Sequence, residues 1–261
     1  MAIAAGIVLA GGRSMRMGTP KAALEWHGST LLRHVVGLVA RGVDGPVVVV
    51  RAPGQALPQL PDDVEVVDDA REGRGPLEGL AAGLAAVHAP VAYVSSTDAP
   101  LLHPALVRRV LRAFDDDVDV VLPRAHGYPQ PLAAAYRTAL LGTIERRLAV
   151  DRVRLGELFG DCRVRRLDEA DLLDDPELSA ADPRLVSLVN LNEPGDYEAA
   201  RKRPAPEVVV GGAGVRAATL GAALASAGVV GDGAVLLNGE PVARDPDLPL
   251  VDGDVVAIEP V

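Results

Sequence analysis

The chain has 261 residues, of which 49 % are hydrophobic and 24 % charged, so it is long enough for one large globular domain or a medium domain with a small one. A net charge of −10 excludes a general electrostatic attraction to nucleic acid or to an anionic membrane. No apolar run approaches the roughly 18 residues that span a bilayer. The single cysteine, Cys162, excludes an internal disulfide, and we expect a cytoplasmic protein.

Short runs rich in β-branched residues alternate with longer stretches rich in Ala, Leu and Arg. The predicted strands are Ile3–Leu9, Pro46–Val50, Val64–Val67, Val91–Ser95, Val118–Leu122, Pro129–Tyr136 and Ser187–Leu191. The predicted helices are Leu31–Arg41, Leu77–Val87, Pro104–Phe114, Thr138–Leu148, Arg154–Phe159 and Pro194–Arg201. This alternation predicts a three-layer α/β fold with a mainly parallel sheet. Gly11, Asp69 and Asp98 each follow a predicted strand, so we expect them to converge at the carboxyl edge of the sheet, where ligands bind.

The chain changes character after Lys202-Arg-Pro-Ala-Pro206, which is typical of a linker. Residues 204–261 contain two basic and eight acidic residues, a far more acidic balance than in residues 1–203. Within this segment we predict three strands, one helix and a turn, namely Val208–Val210, Ala234–Leu237, Val255–Glu259, Thr219–Ala227 and Asn238-Gly239. The sequence therefore predicts two domains, residues 1–203 and 204–261.

The first predicted strand leads into Leu9-Ala-Gly-Gly-Arg-Ser-Met-Arg-Met-Gly-Thr-Pro-Lys21. Paired glycines allow the backbone to approach a phosphate closely, so that successive N–H groups point at its oxygens. Arg13 and Arg16 can neutralise a triphosphate, and Lys21 can act on it as a point charge. The competing interpretation is a glycine turn with solvated basic residues. The combination of Gly11-Gly12, Arg16-Met-Gly18 and Lys21 favours a phosphate-binding loop.

These residues carry a family resemblance. The pattern from Leu9 to Lys21 looks like the signature of the nucleotidyltransferases that include molybdenum cofactor guanylyltransferase. Three further segments are similar to motifs of that family and occur in the same order: Gly75-Pro-Leu-Glu-Gly79, Ser96-Thr-Asp-Ala-Pro100 and Val189-Asn-Leu-Asn-Glu-Pro194. The resemblance covers residues 3–201 and implies a Rossmann-like nucleotidyltransferase domain.

The resemblance also implies an activity, the transfer of GMP from GTP to molybdopterin with Mg²⁺ and release of pyrophosphate. Catalytic roles fall on Arg16, Lys21 and Asp98, with Asp98 as the metal ligand, because a carboxylate is a hard oxygen donor for Mg²⁺. The implied nucleotide- and substrate-binding residues are Leu9, Ala10, Gly11, Gly12, Arg13, Ser14, Gly18, Lys21, Asp69, Gly75, Pro76, Leu77, Gly79, Asn190 and Asn192. Asp69 resembles the residue that reads the base, although the adjacent Asp68 is an alternative. Asn190 and Asn192, with His126 and Gln130, lie where the family faces the pterin.

Several alternatives stay open at this point. Asp98 is also suited to capping the helix that begins at Pro104. Leu9-Ala-Gly-Gly12 favours the guanylyl branch of the family, but cytidylyl transfer to the same pterin and nucleotidyl transfer to a sugar or alcohol phosphate are competing activities. A function of a different class is a non-catalytic adaptor, although intact Arg16, Lys21 and Asp98 argue against it.

The C-terminal segment has a resemblance of its own. Its strand–helix–strand order, Asn238-Gly239, and Leu250-Val-Asp-Gly-Asp-Val-Val256 resemble the ubiquitin-like sulfur carriers, especially the small subunit of molybdopterin synthase. Those carriers react through a Gly-Gly tail, whereas this chain ends in Pro260-Val261. We therefore expect a docking or regulatory β-grasp domain without sulfur transfer, with protein partners in molybdenum cofactor biosynthesis.

Overall fold

The structure is a computed structural model that describes residues 3–11, 20–69, 71, 73–229 and 233–259. The strands in these ranges are β1 (Ala4–Leu9), β2 (Glu25–Trp26), β3 (Ser29–Thr30), β4 (Val47–Arg51), β5 (Glu65–Asp68), β6 (Val91–Ser96), β7 (Val120–Ala125), β8 (Tyr128–Pro129), β9 (Ala134–Arg137), β10 (Val164–Leu167), β11 (Glu207–Val210), β12 (Ala213–Arg216), β13 (Ala234–Leu237), β14 (Glu240–Val242) and β15 (Val255–Glu259). The α-helices are α1 (Leu31–Ala40), α2 (Pro76–Ala86), α3 (Pro104–Arg112), α4 (Leu141–Ala149), α5 (Leu155–Leu158), α6 (Glu169–Leu173), α7 (Pro176–Ala181), α8 (Pro194–Arg201) and α9 (Leu220–Ser226).

The large sheet has the strand order β10-β7-β9-β6-β1-β4-β5, with β8 paired to β7. Strands β6, β1, β4 and β5 are parallel neighbours, and β7 is parallel to β10. Only β9 interrupts this part of the order, since it runs antiparallel to both β6 and β7. The predicted α/β fold with a mainly parallel sheet is therefore confirmed.

The central strands are apolar along their whole length because helices cover both faces of the sheet. All six residues of β1 and of β6 are buried, as are the four valines of β4. One face packs against α1, α3, α6 and α7, and the other against α2, α4 and α5. Successive side chains of β1 point to opposite faces of the sheet, so Val8 packs on the face covered by the first group of helices and Ile7 on the face covered by the second. The sheet and the two groups of helices form the three layers.

The predicted strand Ser187–Leu191 is wrong. A short 3₁₀ helix, Val186–Leu188, stands there instead, after Leu185 in the left-handed region at φ 51°. The Asp182 carboxylate accepts from the N–H groups of Val186 (2.8 Å) and Ser187 (2.7 Å), so these backbone donors need no neighbouring strand. The buried apolar residues of the segment are spaced three apart, which a 3₁₀ turn accommodates and a strand does not.

Two other parts of the prediction need correction. The predicted strand Pro129–Tyr136 is divided into β8 and β9, because the chain leaves the sheet between Pro131 and Ala133. The strand β10 and the helices α6 and α7 were not predicted. β10 lies at the edge of the sheet, and only its last residue, Leu167, is buried, so its sequence lacks the apolar run of a central strand.

Residues 207–259 form a second sheet with the order β12-β11-β15-β13-β14, in which β11 and β15 are parallel. Helix α9 packs on one face and closes a separate apolar core. The predicted turn at Asn238-Gly239 is confirmed: both residues have positive φ, 54° and 89°, as a two-residue hairpin turn between β13 and β14 requires.

The second sheet domain contacts α1 of the first through two arginines. The Arg33 guanidinium donates to both carboxylate oxygens of Asp245, at 2.8 and 2.9 Å, and its Nε lies 3.0 Å from Asp247. Arg41, the C-cap residue of α1 and about two turns beyond Arg33, donates to the carbonyl of Pro249 (2.8 Å) and to Asp254 (2.6 Å). The acidic surplus of the C-terminal segment is thus used in part to dock on a basic helix face.

Gly37 lies between these arginines on α1. A Cβ atom there would stand 2.4 Å from Cδ of Pro249, so only glycine allows the two domains to approach this closely. Asp254 is 2 % exposed and is held by Arg41, by the side-chain amide of Asn238 and by the N–H of Val251. The carboxylate is therefore fully satisfied in its buried position.

None of the helices in the described ranges has the length and apolar character needed to cross a bilayer.

Candidate active site

Loops from neighbouring strands emerge side by side at the carboxyl edge of the large sheet. The N–H of Thr97 donates to the carbonyl of Leu9 (3.3 Å), which holds the loop after β6 against the end of β1. In the same way, the N–H of Asp69 donates to the carbonyl of Arg51 (2.7 Å) and holds the end of β5 against β4. The loops after β1, β5 and β6 therefore share one edge, as predicted from the sequence.

The first part of the predicted phosphate loop is tightly packed. A Cβ at Gly11 would lie 3.3 Å from the backbone nitrogen of Ala52, so a larger residue would push against the chain that leaves β4. The Gln55 side-chain amide donates to the carbonyl of Ala10 (3.0 Å) from the same loop. Leu9 and Ala10 have buried side chains, so their expected contribution to nucleotide binding comes from the backbone.

Five of the predicted nucleotide contacts, Gly12, Arg13, Ser14, Arg16 and Gly18, lie outside the described residues. Their assignments stay predictions from the sequence. The described chain resumes at Pro20, which precedes a 3₁₀ turn over Lys21–Ala23.

Lys21 joins three of the predicted motifs. Its ammonium group lies 2.7 Å from Oδ1 of Asp98, and it also donates to the carbonyl oxygen of Leu191. The N–H of Leu191 in turn donates to the carbonyl of Asp98 at 2.8 Å. The side chains of Lys21 and Asp98 are 14 % and 35 % exposed, so the pair is shielded on one side and open on the other. The phosphate loop, the Asp98 turn and the Asn-x-Asn segment therefore meet at one point.

Asp98 does not cap the helix that follows, so that alternative is wrong. The N-cap of α3 is His103, whose Nδ1 accepts from the N–H of Ala105 at 3.2 Å. The Asp98 carboxylate is instead directed to Lys21 and is exposed enough to bind a cation. The role of Asp98 as a metal ligand stays a prediction from the sequence.

The Gly75-Pro76-Leu77-Glu78-Gly79 segment begins α2. Gly75 has φ 90° and Pro76 is the first helical residue, a combination that fixes how the chain enters the helix. Leu77 is fully buried, and a Cβ at Gly79 would lie 3.3 Å from a Leu9 methyl group. Leu77 and Gly79 therefore face the core, and any contact of theirs with a nucleotide comes from the backbone.

The same segment holds an ion pair that the sequence analysis did not identify. Glu78 is 5 % exposed and lies 2.9 Å from Arg74, which also pairs with Asp151. The four-residue spacing of Arg74 and Glu78 was the available signal. These bonds attach the loop before α2 to the turn after α4.

The two neighbouring candidates for reading the base have different surroundings. Asp68, the last residue of β5, pairs with Arg51 at 2.7 Å. Asp69 lies one residue further, in the loop, where its carboxylate accepts from the N–H of Arg71 (3.3 Å). The structure therefore places Asp69, and not Asp68, in the loop at the carboxyl edge.

The predicted pterin-facing residues divide into two groups. Asn190 and Asn192 are exposed beside Leu191, and thus beside the Lys21–Asp98 pair. His126 and Gln130 instead contact backbone: the His126 ring nitrogen lies 3.1 Å from the carbonyl of Leu185, and Gln130 donates to its own hairpin. The structure therefore brings the two asparagines to the candidate site and leaves His126 and Gln130 with local contacts.

A mostly parallel α/β sheet, a glycine-containing loop after its first strand and a lysine–carboxylate pair at its carboxyl edge define a nucleotidyltransferase. Residues 6–161 match the family described as the MobA-like NTP transferase domain. The chain belongs to this family. It is 33 % identical over 196 residues to the molybdenum cofactor guanylyltransferase of Desulfosudis oleivorans, covering 75 % of this chain and 93 % of the relative.

Two further comparisons agree. The probable molybdenum cofactor guanylyltransferase of Bacillus cereus strain Q1 is 29 % identical over 200 residues, covering 76 % of this chain and 96 % of the relative. The crystal structure of molybdopterin-guanine dinucleotide biosynthesis protein A from Archaeoglobus fulgidus shares the fold, with a TM-score of 0.61 and 22 % identity over 76 % of this chain and 97 % of that one. About a quarter of this chain thus lies outside the regions matched by these two relatives and this crystal structure.

Proposed function

We propose that the protein transfers GMP from GTP to molybdopterin with release of pyrophosphate. The observation that carries this proposal is the contact of Lys21 with both Asp98 and Leu191. It joins the predicted nucleotide loop, the candidate metal ligand and the Asn190–Asn192 segment, as a reaction between a nucleotide and a second substrate requires. The names of the two curated relatives support the choice of guanylyl transfer and of a molybdenum cofactor acceptor.

The residues at this site suit an in-line displacement. A terminal phosphate oxygen of the acceptor forms a bond to the α-phosphorus, and the bond between that phosphorus and the β-phosphate oxygen breaks as pyrophosphate leaves. The ammonium group of Lys21 can leave Asp98 and move to the phosphates of the bound nucleotide. There it can stabilise the negative charge on the departing oxygen. The backbone of the loop that begins at Leu9 holds the triphosphate, and Asn190 and Asn192 orient the acceptor.

A magnesium ion fits the residues present. Asp98 provides a carboxylate, and no cluster of three His, Cys, Asp or Glu side chains capable of holding a metal occurs in the described part of the chain. Mg²⁺ commonly binds through one or two carboxylates, with substrate phosphates and water completing its shell. When bound, the ion supplies charge neutralisation at the phosphates. Asp98 would hold it from the side of β6.

We assign recognition of the base to Asp69 and further nucleotide contacts to the backbone at Gly75 and Pro76. Both lie in loops at the same sheet edge, after β5 and at the start of α2. This assignment rests on the family resemblance together with the position of Asp69 in its loop.

We also propose a division at residues 203 and 204 into a nucleotidyltransferase domain and a β-grasp domain. Separate apolar cores support the division. The mixed sheet order β12-β11-β15-β13-β14, with parallel β11 and β15 and one helix between β12 and β13, supports the β-grasp assignment. The contacts of Arg33 and Arg41 with this domain favour a docked module over a freely tethered carrier.

The test is to incubate the protein with Mg²⁺, molybdopterin and each of the four nucleoside triphosphates in turn and to measure pyrophosphate release. We expect release with GTP. Release with CTP alone would contradict guanylyl transfer, and no release with any triphosphate would favour the adaptor alternative.

Asp98→Asn is expected to lower kcat by at least about a hundredfold with the fold intact, because it removes the charge that holds the metal. Asp117→Asn is the matched control, since the Asp117 side chain is 97 % exposed and belongs to a different loop. Circular dichroism and thermal unfolding establish that both variants are folded. A near-normal kcat in Asp98→Asn would remove Asp98 from the metal site.

A further inference from the structure

A buried histidine of α1, His34, contacts the turn that carries Asp98. Its Nε2 lies 2.9 Å from the carbonyl oxygen of Pro100, two residues beyond Asp98. His34 is 7 % exposed and Pro100 is buried, so water does not replace this hydrogen bond easily when it is lost. His34 lies in none of the segments that resemble the family motifs.

The direction of this hydrogen bond follows from the chemistry of its partners. A carbonyl oxygen only accepts, so Nε2 of His34 is the donor. Burial lowers the pKa of His34 to about 4, so the ring is neutral at pH 7 and its single proton is on Nε2. The ring also packs against Trp26, with the two ring centroids 5.7 Å apart. His34 is therefore a neutral donor whose orientation is set by packing.

The turn after β6 has few backbone hydrogen bonds of its own with which to hold its shape. The N–H of Ala99 donates to the carbonyl of Ser96, and the N–H of Leu102 donates to the carbonyl of Ala99, both at 3.2 Å. Pro100, between these two bonds, has no N–H group to contribute. Its carbonyl is the point at which α1 holds the turn, and Asp98 lies one bond of the turn away.

The same helix also contacts the other segment that holds the Lys21–Asp98 pair. Leu31, one turn before His34 on α1, packs in an apolar cluster with Leu191. Leu191 accepts from Lys21 through its carbonyl and donates through its N–H to the carbonyl of Asp98. One turn of α1 therefore touches both the Asp98 turn and the segment that joins this turn to Lys21.

Helix α1 is itself held by the C-terminal domain. Arg33, the neighbour of His34, pairs with Asp245, and Arg41 at the end of the helix pairs with Asp254. A side chain on a helix that is packed against its surroundings in this way has a defined position, which is what a group that orients a reactive residue requires.

Resting on the proposed function, we propose that His34 is a positioning residue for nucleotidyl transfer, which holds the carbonyl of Pro100 and thereby keeps the Asp98 carboxylate in place beside Lys21. It acts through the backbone of the turn and not on the substrates. A displacement of about 1 Å in a positioned group can lower a rate about a hundredfold, and residues that support metal ligands have effects of about tenfold to a hundredfold.

Three variants separate this role from a general contribution to stability. His34→Leu removes the donor and keeps a side chain suited to the buried position. His34→Gln keeps a donor, since its amide N–H has about the reach of Nε2. The control is Ile144→Val, because Ile144 is fully buried on α4 in the apolar cluster on the other face of the sheet. Urea titrations compare the stability of the three variants.

The first measurement is amide hydrogen exchange by NMR, which needs no substrate. The reporters are the N–H groups of Leu102 and Leu191, because both donate to carbonyls of the turn. In His34→Leu we expect their exchange to be about tenfold faster than in the wild type, since one buried hydrogen bond of the turn is lost. His34→Gln and Ile144→Val should stay within about twofold of the wild type, because the turn opens locally and not by global unfolding.

The second measurement is steady-state pyrophosphate release with GTP and molybdopterin. His34→Leu should lower kcat about tenfold and leave KM for GTP within about twofold, because the misplaced Asp98 affects the reaction more than the binding of the nucleotide. His34→Gln should recover kcat to within about threefold of the wild type. Ile144→Val should have a kcat close to that of the wild type.

The role of His34 is overturned if exchange at Leu102 and Leu191 is unchanged in His34→Leu, if Ile144→Val changes it equally, or if His34→Gln loses as much kcat as His34→Leu. These results are distinct from a failure of the proposed function. Faster exchange of the two amides in His34→Leu, with a wild-type protein that releases no pyrophosphate, would contradict the activity and support the hold of His34 on the turn. Normal release by the wild type and by His34→Leu would support the activity and overturn the role of His34.

Discussion

The Lys21–Asp98 pair predicts that the protein without nucleotide binds divalent metal weakly. The ammonium group of Lys21 lies 2.7 Å from the oxygen that we assign to Mg²⁺, so it competes with the ion for that carboxylate. Lys21→Met keeps the length and apolar stem of the side chain and removes the charge. We therefore expect this variant to bind a divalent metal more tightly than the wild type when nucleotide is absent.

The size of the effect follows from the geometry. Two unit charges at this separation attract by about 6 kcal/mol at an effective dielectric constant near 20. Both side chains are partly exposed, and their lost hydration and side-chain entropy offset most of that attraction, so a net value of about 1 to 2 kcal/mol remains. Since about 1.4 kcal/mol is a factor of ten in a binding constant, the metal affinity should rise about tenfold.

Mn²⁺ is a suitable reporter, because electron paramagnetic resonance measures the free ion directly. Lys202→Met is the control, since Lys202 is exposed and is the other lysine of the chain. Asp98→Asn should abolish the gain seen in Lys21→Met. An unchanged Mn²⁺ affinity in Lys21→Met would refute the competition. With GTP present, Lys21→Met should bind Mn²⁺ more weakly than the wild type, because Lys21 is then needed to hold the phosphates.

Two further predictions concern the domain interface and a buried histidine. Gly37→Ala should cost about 1 to 3 kcal/mol and expose residues 202–206 to proteolysis, because the new Cβ meets Pro249. Gly142→Ala is the control: Gly142 is also helical, and a Cβ there meets only the end of the Arg146 side chain at an ordinary contact distance of 3.6 Å, so this variant should stabilise the protein. Equal effects of the two substitutions would contradict the close approach of the domains at Gly37. Burial lowers the pKa of His34 to about 4. In the unfolded chain this histidine binds its proton near pH 6.5, so the free energy of unfolding should fall by about 3 kcal/mol between pH 6.5 and pH 4. In the His34→Gln variant, the loss of unfolding free energy over the same range should be smaller by that amount. Urea titrations at a series of pH values measure the difference.

The sequence was sufficient for the parts of the fold that local pattern determines. The central strands β1, β4 and β6 are continuous apolar runs, and each was predicted within one or two residues. The turn at Asn238-Gly239 depends on backbone conformation that few other residues adopt, so its signal is equally local.

Other features depend on contacts between distant residues. The run Leu185-Val-Ser-Leu-Val189 has the composition of a strand, but the Asp182 carboxylate satisfies its backbone and converts it to a 3₁₀ turn. The antiparallel insertion of β9 between β6 and β7 leaves no mark on its own apolar sequence. Composition alone did not reveal either of them.

At the candidate site, too, some features follow from the local sequence and others depend on contacts between distant residues. Motif spacing identified Lys21, Asp98 and the segment around Leu191, and the structure brings them within hydrogen-bond distance of one another. What the sequence did not show is that the partner of Lys21 in that segment is a backbone carbonyl and not an asparagine side chain. A carbonyl group is common to all residues, so no residue type marks it.

The contacts between the C-terminal domain and α1 limit how chimeric proteins can be made from these two parts. Arg33 and Arg41 match Asp245 and Asp254 in both charge and spacing, and Gly37 leaves room for one particular proline. A C-terminal domain from a different protein, placed behind this nucleotidyltransferase domain without these partners, would leave Arg41 facing an unmatched surface. We therefore expect that an exchange of the C-terminal domain between proteins also requires an exchange of the α1 residues that contact it.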